Sequence, residues 1–305
     1  MRLVSYDAGQ GPRAGVQPVT GGRIFDAAAA LRLAAVDDAP AAGGVRGLLA
    51  GGPAVLDALA EAVRDQAEAL TGTGGAHDAN AVHLLAPVTA PEKIICLGLN
   101  YHDHAAEVGA PVPNSPIVFA KFANSLIGHG ATIVPPAVTD KVDYEAELAV
   151  VIGRPCRDVD EASALSYVAG AMPLNDVSAR DLQLANQLWT TGKAIDTFAP
   201  CGPALVTTDE LGDLQNLGIR TRVNGFTVQD STTGKMIFGI AETIAFLSRI
   251  MTLVPGDIIA TGTPAGVSCA HGPKTFLRTG DQVEIEIDGL GVLRNRVGAP
   301  YGTPR

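Results

Sequence analysis

The residues of greatest chemical interest lie in the segment Val142–Val151, where acidic and apolar residues alternate. On a β-strand this alternation places Asp143, Glu145 and Glu147 on one face, because successive side chains point to opposite sides. Same-face residues lie ~6.6 Å apart at Cα, so two flexible Glu side chains can converge on one small cation. The strand also runs on into the apolar Leu148–Ile152, where unpaired carboxylates would be costly to bury. The pattern therefore predicts either a cation site or a solvated edge strand with a charged face.

A third carboxylate, Asp176, follows the apolar run Tyr167–Leu174, where a strand would deliver a side chain to the mouth of a site. Taken alone, such an Asp is more typical of a turn. Together with Glu145 and Glu147 it would complete a set of hard oxygen ligands. Such a set favours Mg²⁺ or Mn²⁺ over Zn²⁺ and leaves coordination positions for water or substrate. We therefore expect a catalytic cation more than a structural one.

His104 and Glu107 could form a general base. They lie three residues apart, so on a helix they share a face and can hydrogen-bond. A carboxylate that holds one imidazole nitrogen leaves the other ready to take a proton near neutral pH. The alternatives are a solvated helix end with ordinary polar residues and, less well supported, metal ligation by the same pair.

Lys193 is one of six lysines and stands in an otherwise uncharged run between Trp189 and Asp196. Its ammonium group could stabilise an enolate. The ordinary alternative is a surface lysine that pairs with Asp196. The sequence alone leaves both readings open.

The segment Gly266–Ala270, followed by His271, approximates the nucleophile elbow of a serine hydrolase. That elbow requires a strand, a sharp turn and then a helix. No helix is readable after Ser268, so we do not expect a serine nucleophile. No P-loop or GxGxxG fingerprint supports nucleotide binding either.

These candidate groups must be positioned by a strand-rich region that begins near Ile94. Apolar stretches separated by Gly, Pro and Asp turns predict strands in IICLGL, PIVFAKF, ELAVVIG, YVAGAMPL, RTRVNG, GDIIATG and DQVEIEIDGLGVLRNRV. Apolar residues at helical spacing predict helices over Ala54–Leu70, Asn100–Val108 and Ala241–Ile250. Alternating strand and helix units of a doubly wound fold are not seen. We therefore expect an α+β, mainly β fold.

The first part of the chain differs in texture from the rest. Residues 1 to about 88 are Ala-rich and punctuated by Gly, and a Gly/Thr/Asn loop leads through Pro87 and Pro91 into the strand-rich region. This change predicts a small N-terminal accessory domain over residues 1–88 and a catalytic domain over residues 89–305.

Composition narrows the class of protein. The chain has 305 residues, of which 47% are hydrophobic and 18% charged, and this excludes a disordered chain. A net charge of −10 and a pI near 5.0 repel phosphate backbones and anionic membranes, so we expect neither as a partner. Asp7 interrupts the apolar stretch of a secretory signal and no run reaches the ~18 apolar residues of a membrane span, which predicts a cytoplasmic protein. The four cysteines form no CxxC motif, so we expect reduced, packed thiols.

Taken together, these segments resemble the fumarylacetoacetate hydrolase family. The matching motifs occur in order as Gly98-Leu99-Asn100-Tyr101, Asp103-His104-Ala105-Ala106-Glu107, Tyr144-Glu145-Ala146-Glu147-Leu148, Asn175-Asp176-Val177-Ser178-Ala179-Arg180-Asp181, Gly192-Lys193, Asp196-Thr197-Phe198-Ala199-Pro200, Pro255-Gly256-Asp257 and Thr261-Gly262-Thr263-Pro264. They cover residues 90 to 298. Ordered matches over such a length are far more specific than any single motif.

The resemblance implies a mixed β-sandwich roll, usually a homodimer, that binds Mg²⁺ or Mn²⁺ and acts on 2-oxo or β-diketo acids. It also implies roles for individual residues: Glu145, Glu147 and Asp176 as metal ligands, Lys193 as the active-site lysine, His104 and Glu107 as the dyad on a mobile lid, and Arg180, Gln183 and Thr263 as groups near the substrate. The sequence departs from the family pattern at Ala194-Ile195 and at Ser268-Cys269-Ala270. Both departures border the expected pocket and bear on which substrate it takes.

The expected reaction is hydrolysis of a C–C bond in an acylpyruvate-like substrate, with the cation absorbing enolate charge. His104, oriented by Glu107, would activate water, and Lys193 would stabilise developing negative charge. The same enolate chemistry would serve an isomerase or tautomerase on a hydroxymuconate-like diacid, or an oxaloacetate decarboxylase. A non-enzymatic protein that holds a structural cation is a further alternative.

Overall fold

The computed structural model describes residues 1–19, 21–272 and 275–302, and its architecture confirms the predicted α+β, mainly β fold. The strands, in chain order, are β1 (Arg2–Asp7), β2 (Pro12–Val16), β3 (Arg23–Asp26), β4 (Ala76–Asp78), β5 (His83–Leu85), β6 (Ile94–Gly98), β7 (Ile117–Lys121), β8 (Leu126–Ile127), β9 (Thr132–Ile133), β10 (Val142–Asp143), β11 (Ala146–Ile152), β12 (Val168–Asn175), β13 (Ser178–Ala179), β14 (Ala199–Pro200), β15 (Leu205–Thr207), β16 (Gly218–Val223), β17 (Phe226–Thr232), β18 (Ile258–Ala260), β19 (Gln282–Ile287) and β20 (Gly291–Val297). Each of the strand-forming stretches predicted from Ile94 onward overlaps one of these strands, and the last contains two.

The helices are short, and most lie in the first third of the chain or border the site. They are α1 (Ala27–Leu33), α2 (Ala39–Ala42), α3 (Gly44–Ala50), α4 (Pro53–Asp65), α5 (Ala67–Gly72), α6 (His102–Glu107), α7 (Glu161–Ala164), α8 (Arg180–Gln183), α9 (Thr190–Lys193), α10 (Ile240–Ile250) and α11 (Ser268–His271). The single helix expected over Ala54–Leu70 is two helices, because Gln66 leaves the helical region with φ −126°. The other two expected helices correspond to α6 and α10.

A large sheet forms the centre of the molecule, with the strand order β4-β3-β2-β1-β15-β12-β11-β18-β6-β7 and β5 paired with β1. Its neighbours β11 and β12 are antiparallel, and Ala146 lies opposite Asn175. Glu145 immediately precedes β11, and Asp176 immediately follows β12. The start of one strand and the end of the next therefore bring their carboxylates to one edge of the ladder.

β11 is apolar at almost every position because both of its faces are buried. Leu148 and Val150 belong to a core that also contains Ile285 from the second sheet, whereas Ala149 and Val151 pack into a separate core. The second sheet has the order β17-β16-β19-β20-β9 and contacts β11 and β12 through β16 and β19. A strand covered on two sides loses the polar alternation of a half-exposed strand.

The first 88 residues add to the same central sheet. β1 pairs with β15 through Leu3 and Leu205, and these two side chains share a core with Met172 and Ala149. The domain boundary expected at residue 88 stays a prediction. The central sheet and one core contain residues from both sides of it. No helix in residues 1–19, 21–272 and 275–302 is long and apolar enough to cross a membrane.

The cysteines are free thiols, as expected from their spacing. Cys96, Cys156 and Cys201 are buried and behave as small apolar residues. Cys269 differs, because it lies exposed on α11. The prediction of packed thiols is therefore correct for three positions and wrong for Cys269.

Candidate active site

Three carboxylates expected to bind a cation converge on one point. Carboxylate oxygens of Glu145, Glu147 and Asp176 all lie within 4.8 Å of one another, and the three side chains are buried. Two hydrogen bonds hold the backbone that carries them: the Asp176 N–H donates to the Glu145 carbonyl at 2.9 Å, and the Glu145 N–H donates to the Asn175 side chain at 3.0 Å. The two strand ends are thereby fixed against each other.

Asp143 does not share this cluster, so the continuous strand expected over Val142–Val151 is wrong. The ladder breaks at Tyr144 and Glu145, between β10 and β11. The break turns Asp143 toward Arg180, whose Nε donates to it at 2.8 Å. The N–H groups of Ser268 and Cys269, the first two residues of α11, donate to the same carboxylate at 2.8 and 3.0 Å. Asp143 therefore fixes the position of Arg180.

Lys193 is buried, so the surface alternative is wrong. Its Nζ lies 2.8 Å from Glu145 Oε2 and 2.6 Å from Asp176 Oδ2, and its side chain is 2% exposed. Burial alone would lower the pKa of Lys193, but the carboxylates of Asp176 and Glu145 raise it above its ordinary value. The two carboxylates therefore favour the ammonium form of Lys193, which can stabilise negative charge.

Lys121 was not expected at the site. Its Nζ contacts Asp176 Oδ1 at 2.5 Å and the Val177 carbonyl at 3.1 Å, and the side chain is fully buried. Asp176 is thus held by one ammonium group on each oxygen. The sequence did contain a signal, because Lys121 is a charge at the end of the apolar strand Ile117–Lys121.

The charges at the site do not balance. Among the described residues, four buried carboxylates meet three buried cations: Asp143, Glu145, Glu147 and Asp176 against Lys121, Arg180 and Lys193. Within that part of the chain, Glu147 has no basic partner and accepts only the Gly262 N–H, at 2.9 Å. Burial, followed by the nearby carboxylates Asp176 and Glu145, raises the pKa of Glu147 well above its usual range. A divalent cation fits the hard donor set of these oxygens and would bring positive charge to Glu147.

Replacing Lys121 with Met is expected to lower the free energy of unfolding by about 3 kcal/mol, because breaking a buried pair leaves a carboxylate oxygen of Asp176 uncompensated. Urea unfolding in the presence of EDTA measures this loss. Lys141→Met is the control, because Lys141 is exposed and should unfold like the wild type. Equal stability of the two variants would contradict the assigned role of Lys121.

His104 and Glu107 form the expected pair on α6. His104 Nδ1 lies 3.0 Å from Glu107 Oε2, and the two side chains are only 12% and 13% exposed. Glu107 Oε1 accepts the Gly266 N–H at 2.8 Å and lies 3.3 Å from His271 Nε2. With its Nδ1 hydrogen donated to Glu107, a neutral His104 keeps the Nε2 lone pair for a proton. The pair can therefore act as an oriented base.

A second acid holds the helix α6 in place. Asp103 Oδ2 accepts hydrogen bonds from the Ser231 hydroxyl at 2.6 Å and from Lys235 Nζ at 3.1 Å, and Oδ1 accepts the Ala265 N–H at 3.4 Å. Partial burial alone would raise the pKa of Asp103, but hydrogen bonds from Ser231 and Lys235 lower it below its ordinary value. Asp103 thus links α6 to β17, to Lys235 and to the loop after β18.

The Asp103→Asn substitution is expected to reduce stability by at most about 1 kcal/mol, since the ion pair with Lys235 is partly exposed. A carboxylate with a lowered folded pKa contributes its stability above the ordinary Asp pKa and loses it as the pH falls through the folded value. The difference in melting temperature between wild type and variant should therefore be constant from pH 5 to pH 8 and vanish in more acidic buffer. A difference that grew in acid would contradict this assignment.

The three residues expected near the substrate differ in their surroundings. Arg180 Nη1 lies 2.6 Å from Glu145 Oε1 and donates to Gln183 Oε1 at 2.9 Å, so the expected neighbours Arg180 and Gln183 do meet. Arg180 Nη2 is buried without a hydrogen-bond partner among the described residues. Thr263, 4% exposed, lies on the loop after β18, next to the Gly262 N–H that binds Glu147. A buried, unpaired guanidinium nitrogen indicates a place for an anionic ligand.

The loop after β18 depends on Gly262. Its φ of +94° lies in the left-handed region, and a Cβ at this position would come 2.7 Å from the Cβ of Asn100. Further along, the expectation that no helix follows the turn at Ser268 is wrong, because the four-residue helix α11 begins there. The Ser268 hydroxyl is nevertheless buried and donates to the Thr275 carbonyl at 2.7 Å. The hydrogen of this hydroxyl is therefore bound to a backbone carbonyl, which does not favour a nucleophilic role for Ser268.

The chain is similar to known proteins in both sequence and structure. Residues 93–298 match a family model described as fumarylacetoacetate (FAA) hydrolase, C-terminal. The mitochondrial oxaloacetate tautomerase of Xenopus laevis is 42% identical over 301 residues, which are 97% of this chain and 90% of the relative. The fumarylacetoacetate hydrolase structure from Exiguobacterium antarcticum has a TM-score of 0.80 and 33% identity, covering 98% of this chain and 99% of that one. The 2-hydroxyhepta-2,4-diene-1,7-dioate isomerase structure from Mycobacterium marinum has a TM-score of 0.75 and 32% identity, covering 99% and 100%.

Proposed function

The chain belongs to the fumarylacetoacetate hydrolase family, and on this premise we propose that it is a tautomerase or isomerase of a 2-oxo dicarboxylic acid such as oxaloacetate. The observation that carries the proposal is the buried acidic cluster with one carboxylate, Glu147, lacking a positive partner, placed beside an oriented His104–Glu107 pair. The Xenopus laevis relative, an oxaloacetate tautomerase that is similar along nearly the whole chain, supports this reaction over the hydrolysis expected from the sequence.

A divalent cation held by Glu145, Glu147 and Asp176, Mg²⁺ or Mn²⁺ by the character of its ligands, would supply Lewis-acid stabilisation of enolate charge. The chain's own groups would move the proton. His104 Nε2 takes the hydrogen from the carbon next to the 2-oxo group and returns it to the oxygen, so that the formula of the substrate is unchanged. Lys193, whose Nζ contacts Glu145 and Asp176, would stabilise the negative oxygen. Glu107 stabilises the imidazolium that forms in between.

C–C hydrolysis, the reaction first expected, is the second candidate, and the structural likeness to the Exiguobacterium antarcticum hydrolase favours it. The same His104–Glu107 pair would then remove a proton from water. Decarboxylation of oxaloacetate shares the enolate and is the third. The three reactions differ in atom balance, since hydrolysis consumes water and yields two acids, decarboxylation releases CO₂, and tautomerisation changes no formula.

The deciding experiment follows oxaloacetate, a hydroxymuconate-type diacid and an acylpyruvate with Mg²⁺ or Mn²⁺ in ¹⁸O-labelled water, with mass spectrometry of the products. We expect faster keto–enol conversion of oxaloacetate, seen in its ultraviolet absorbance, with no label gained by C–C cleavage. Two product acids, one carrying ¹⁸O, would establish hydrolysis, and released CO₂ would establish decarboxylation. If chelation strongly lowered the melting temperature and no substrate turned over, the cation would be structural and the protein non-enzymatic.

We also propose that the protein acts as a homodimer. The edge strand β7 exposes Ile117 and Val118, and Phe122 follows it. Leu184 and Leu188, in the segment whose Trp189 packs against Phe119 of this strand, are more than 70% exposed. An uncovered apolar edge of this kind favours self-association. Sedimentation equilibrium tests this dimer.

The cytoplasmic location expected from the sequence stays a prediction, and the Xenopus laevis relative is named as mitochondrial.

A further inference from the structure

Gln229 lies on β17, in the second sheet, yet its side chain reaches into the candidate active site. The side chain is 1% exposed. Its Oε1 accepts the Ala146 N–H at 3.0 Å and the Thr221 hydroxyl at 2.6 Å. Its Nε2 donates to Thr263 Oγ1 and to the Pro264 carbonyl, both at 2.9 Å. One amide thus joins the central sheet, the second sheet and the loop after β18.

The hydrogen-bond partners of Gln229 determine which side-chain atom is the oxygen and which is the nitrogen. A backbone N–H such as that of Ala146 can only donate, so it must face the oxygen of Gln229. The Pro264 carbonyl can only accept, so it must face the nitrogen. All four hydrogen-bonding positions of the amide are therefore filled, and Thr263 Oγ1 is obliged to act as an acceptor toward Gln229.

This arrangement leaves the hydrogen of the Thr263 hydroxyl for another group. In the part of the chain that the structure describes, no acceptor binds this hydrogen. Thr263 is only 4% exposed, so bulk solvent has little access to it. Thr263 directly follows Gly262, whose N–H binds Glu147 of the candidate cation site. Ala146, held by the same amide, separates Glu145 from Glu147 in the chain. Gln229 therefore fixes the hydroxyl relative to the two carboxylates.

We propose that Gln229 is a positioning residue, which presents the Thr263 hydroxyl as a hydrogen-bond donor to a substrate carboxylate at a set distance from the cation. The inference rests on the proposed function, because it assigns the site a 2-oxo acid as ligand. Gln229 acts through Thr263 and touches no substrate itself. A second sheet thereby contributes to substrate affinity without supplying a contact residue.

The test is calorimetric binding of oxalate, a non-reacting dianion, to the protein loaded with Mg²⁺. Gln229→Met should weaken oxalate binding by about tenfold or more, the effect of one hydrogen bond to a charged group. Gln229→Glu, which keeps the two accepting contacts and so the bond to Ala146, should weaken it as well. Binding of Mg²⁺ itself should be unchanged, and KM for oxaloacetate should rise more than kcat falls.

Two further variants separate positioning from general damage. Thr221→Val removes a different hydrogen bond of the same amide and should bind oxalate like the wild type. In a Thr263→Val background the substitution Gln229→Met should have little additional effect, because the hydroxyl it positions is gone. Thr263→Ser, which keeps the hydroxyl, should retain affinity.

The inference is overturned if both Gln229 variants bind oxalate as tightly as the wild type. It is also overturned if Gln229→Met weakens binding equally with and without the Thr263 hydroxyl. A wild-type protein that bound Mg²⁺ but no oxalate would instead refute the proposed function, and the inference with it. Failure of the inference and failure of the proposed function are distinguishable, because only failure of the proposed function is seen in the wild-type protein.

Discussion

The Glu147→Gln substitution is expected to reduce turnover by about 10³-fold or more, corresponding to ~4 kcal/mol of lost transition-state stabilisation. Of the three clustered carboxylates, Glu147 is the one without a basic partner among the described residues, so its oxygens are the most available to a cation. A neutral amide would leave Glu145 and Asp176, which already hold Lys193 between them. Steady-state kinetics with saturating Mn²⁺ measure the loss, and cation-induced thermal stabilisation should disappear with it.

The metal-free variant should be at least as stable as the metal-free wild type. A buried acid with a raised folded pKa contributes its stability below the ordinary Glu pKa and loses it as the pH rises toward the folded value. The stability advantage of the variant in EDTA should therefore grow with pH. Glu161→Gln, at an exposed position on α7, is the matched control and should behave like the wild type. Full turnover by Glu147→Gln, or cation-induced stabilisation that survived it, would refute the assigned ligand.

The His104→Gln substitution should lower kcat by ~10²–10⁴-fold, the range expected when a general base is removed. Glutamine can still donate toward Glu107, so α6 should remain in place, but it cannot accept the proton. The melting temperature and its rise on adding Mg²⁺ should be unchanged, since the cation ligands are untouched. Loss of kcat with intact cation binding is the combination that separates this variant from Glu147→Gln.

His102 provides the matched control on the same helix. It is exposed, whereas His104 is largely covered and bonded to Glu107. His102→Gln should therefore retain wild-type kcat. If His104→Gln also kept full activity, proton transfer would have to be assigned to another group, and the pair of His104 and Glu107 would only hold α6 in place.

Much of the candidate site could be predicted because its acidic residues follow local rules. The acidic alternation before Leu148 pointed to Glu145 and Glu147, and the end of an apolar run pointed to Asp176, although a solvated strand and a turn were open alternatives. The spacing of His104 and Glu107 predicted a shared helix face, which the structure shows. The longer apolar strands from Ile94 onward were readable too, whereas β17 and most of the two-residue strands were not predicted. Local periodicity was sufficient wherever a contact lies within one element or at its end.

The remaining contacts could not be predicted because they join distant parts of the chain. Asp143 fits the alternation, yet a break at Tyr144 turns it to Arg180, and no local pattern marks such a break. Lys121 is a visible charge in an apolar strand, but its partner is 55 residues away. Gln229 meets Ala146 across 83 residues. Burial of such a residue type depends on tertiary packing, which overrides local preference.

The end of the central sheet where β11 begins and β12 ends differs from the surrounding loops in how freely its sequence can change. Its carboxylates come from neighbouring antiparallel strands buried on both faces, a setting in which substitutions are rarely tolerated. The loop that leads to α11 lies outside these strands and meets α6 through the Gly266 N–H, and loops of this kind vary in sequence more readily than buried strands. Substitutions in such a loop can therefore change what the site binds while the carboxylates keep their places. The relatives with this fold bear the names of a hydrolase, an isomerase and a tautomerase, a range that such a separation would allow.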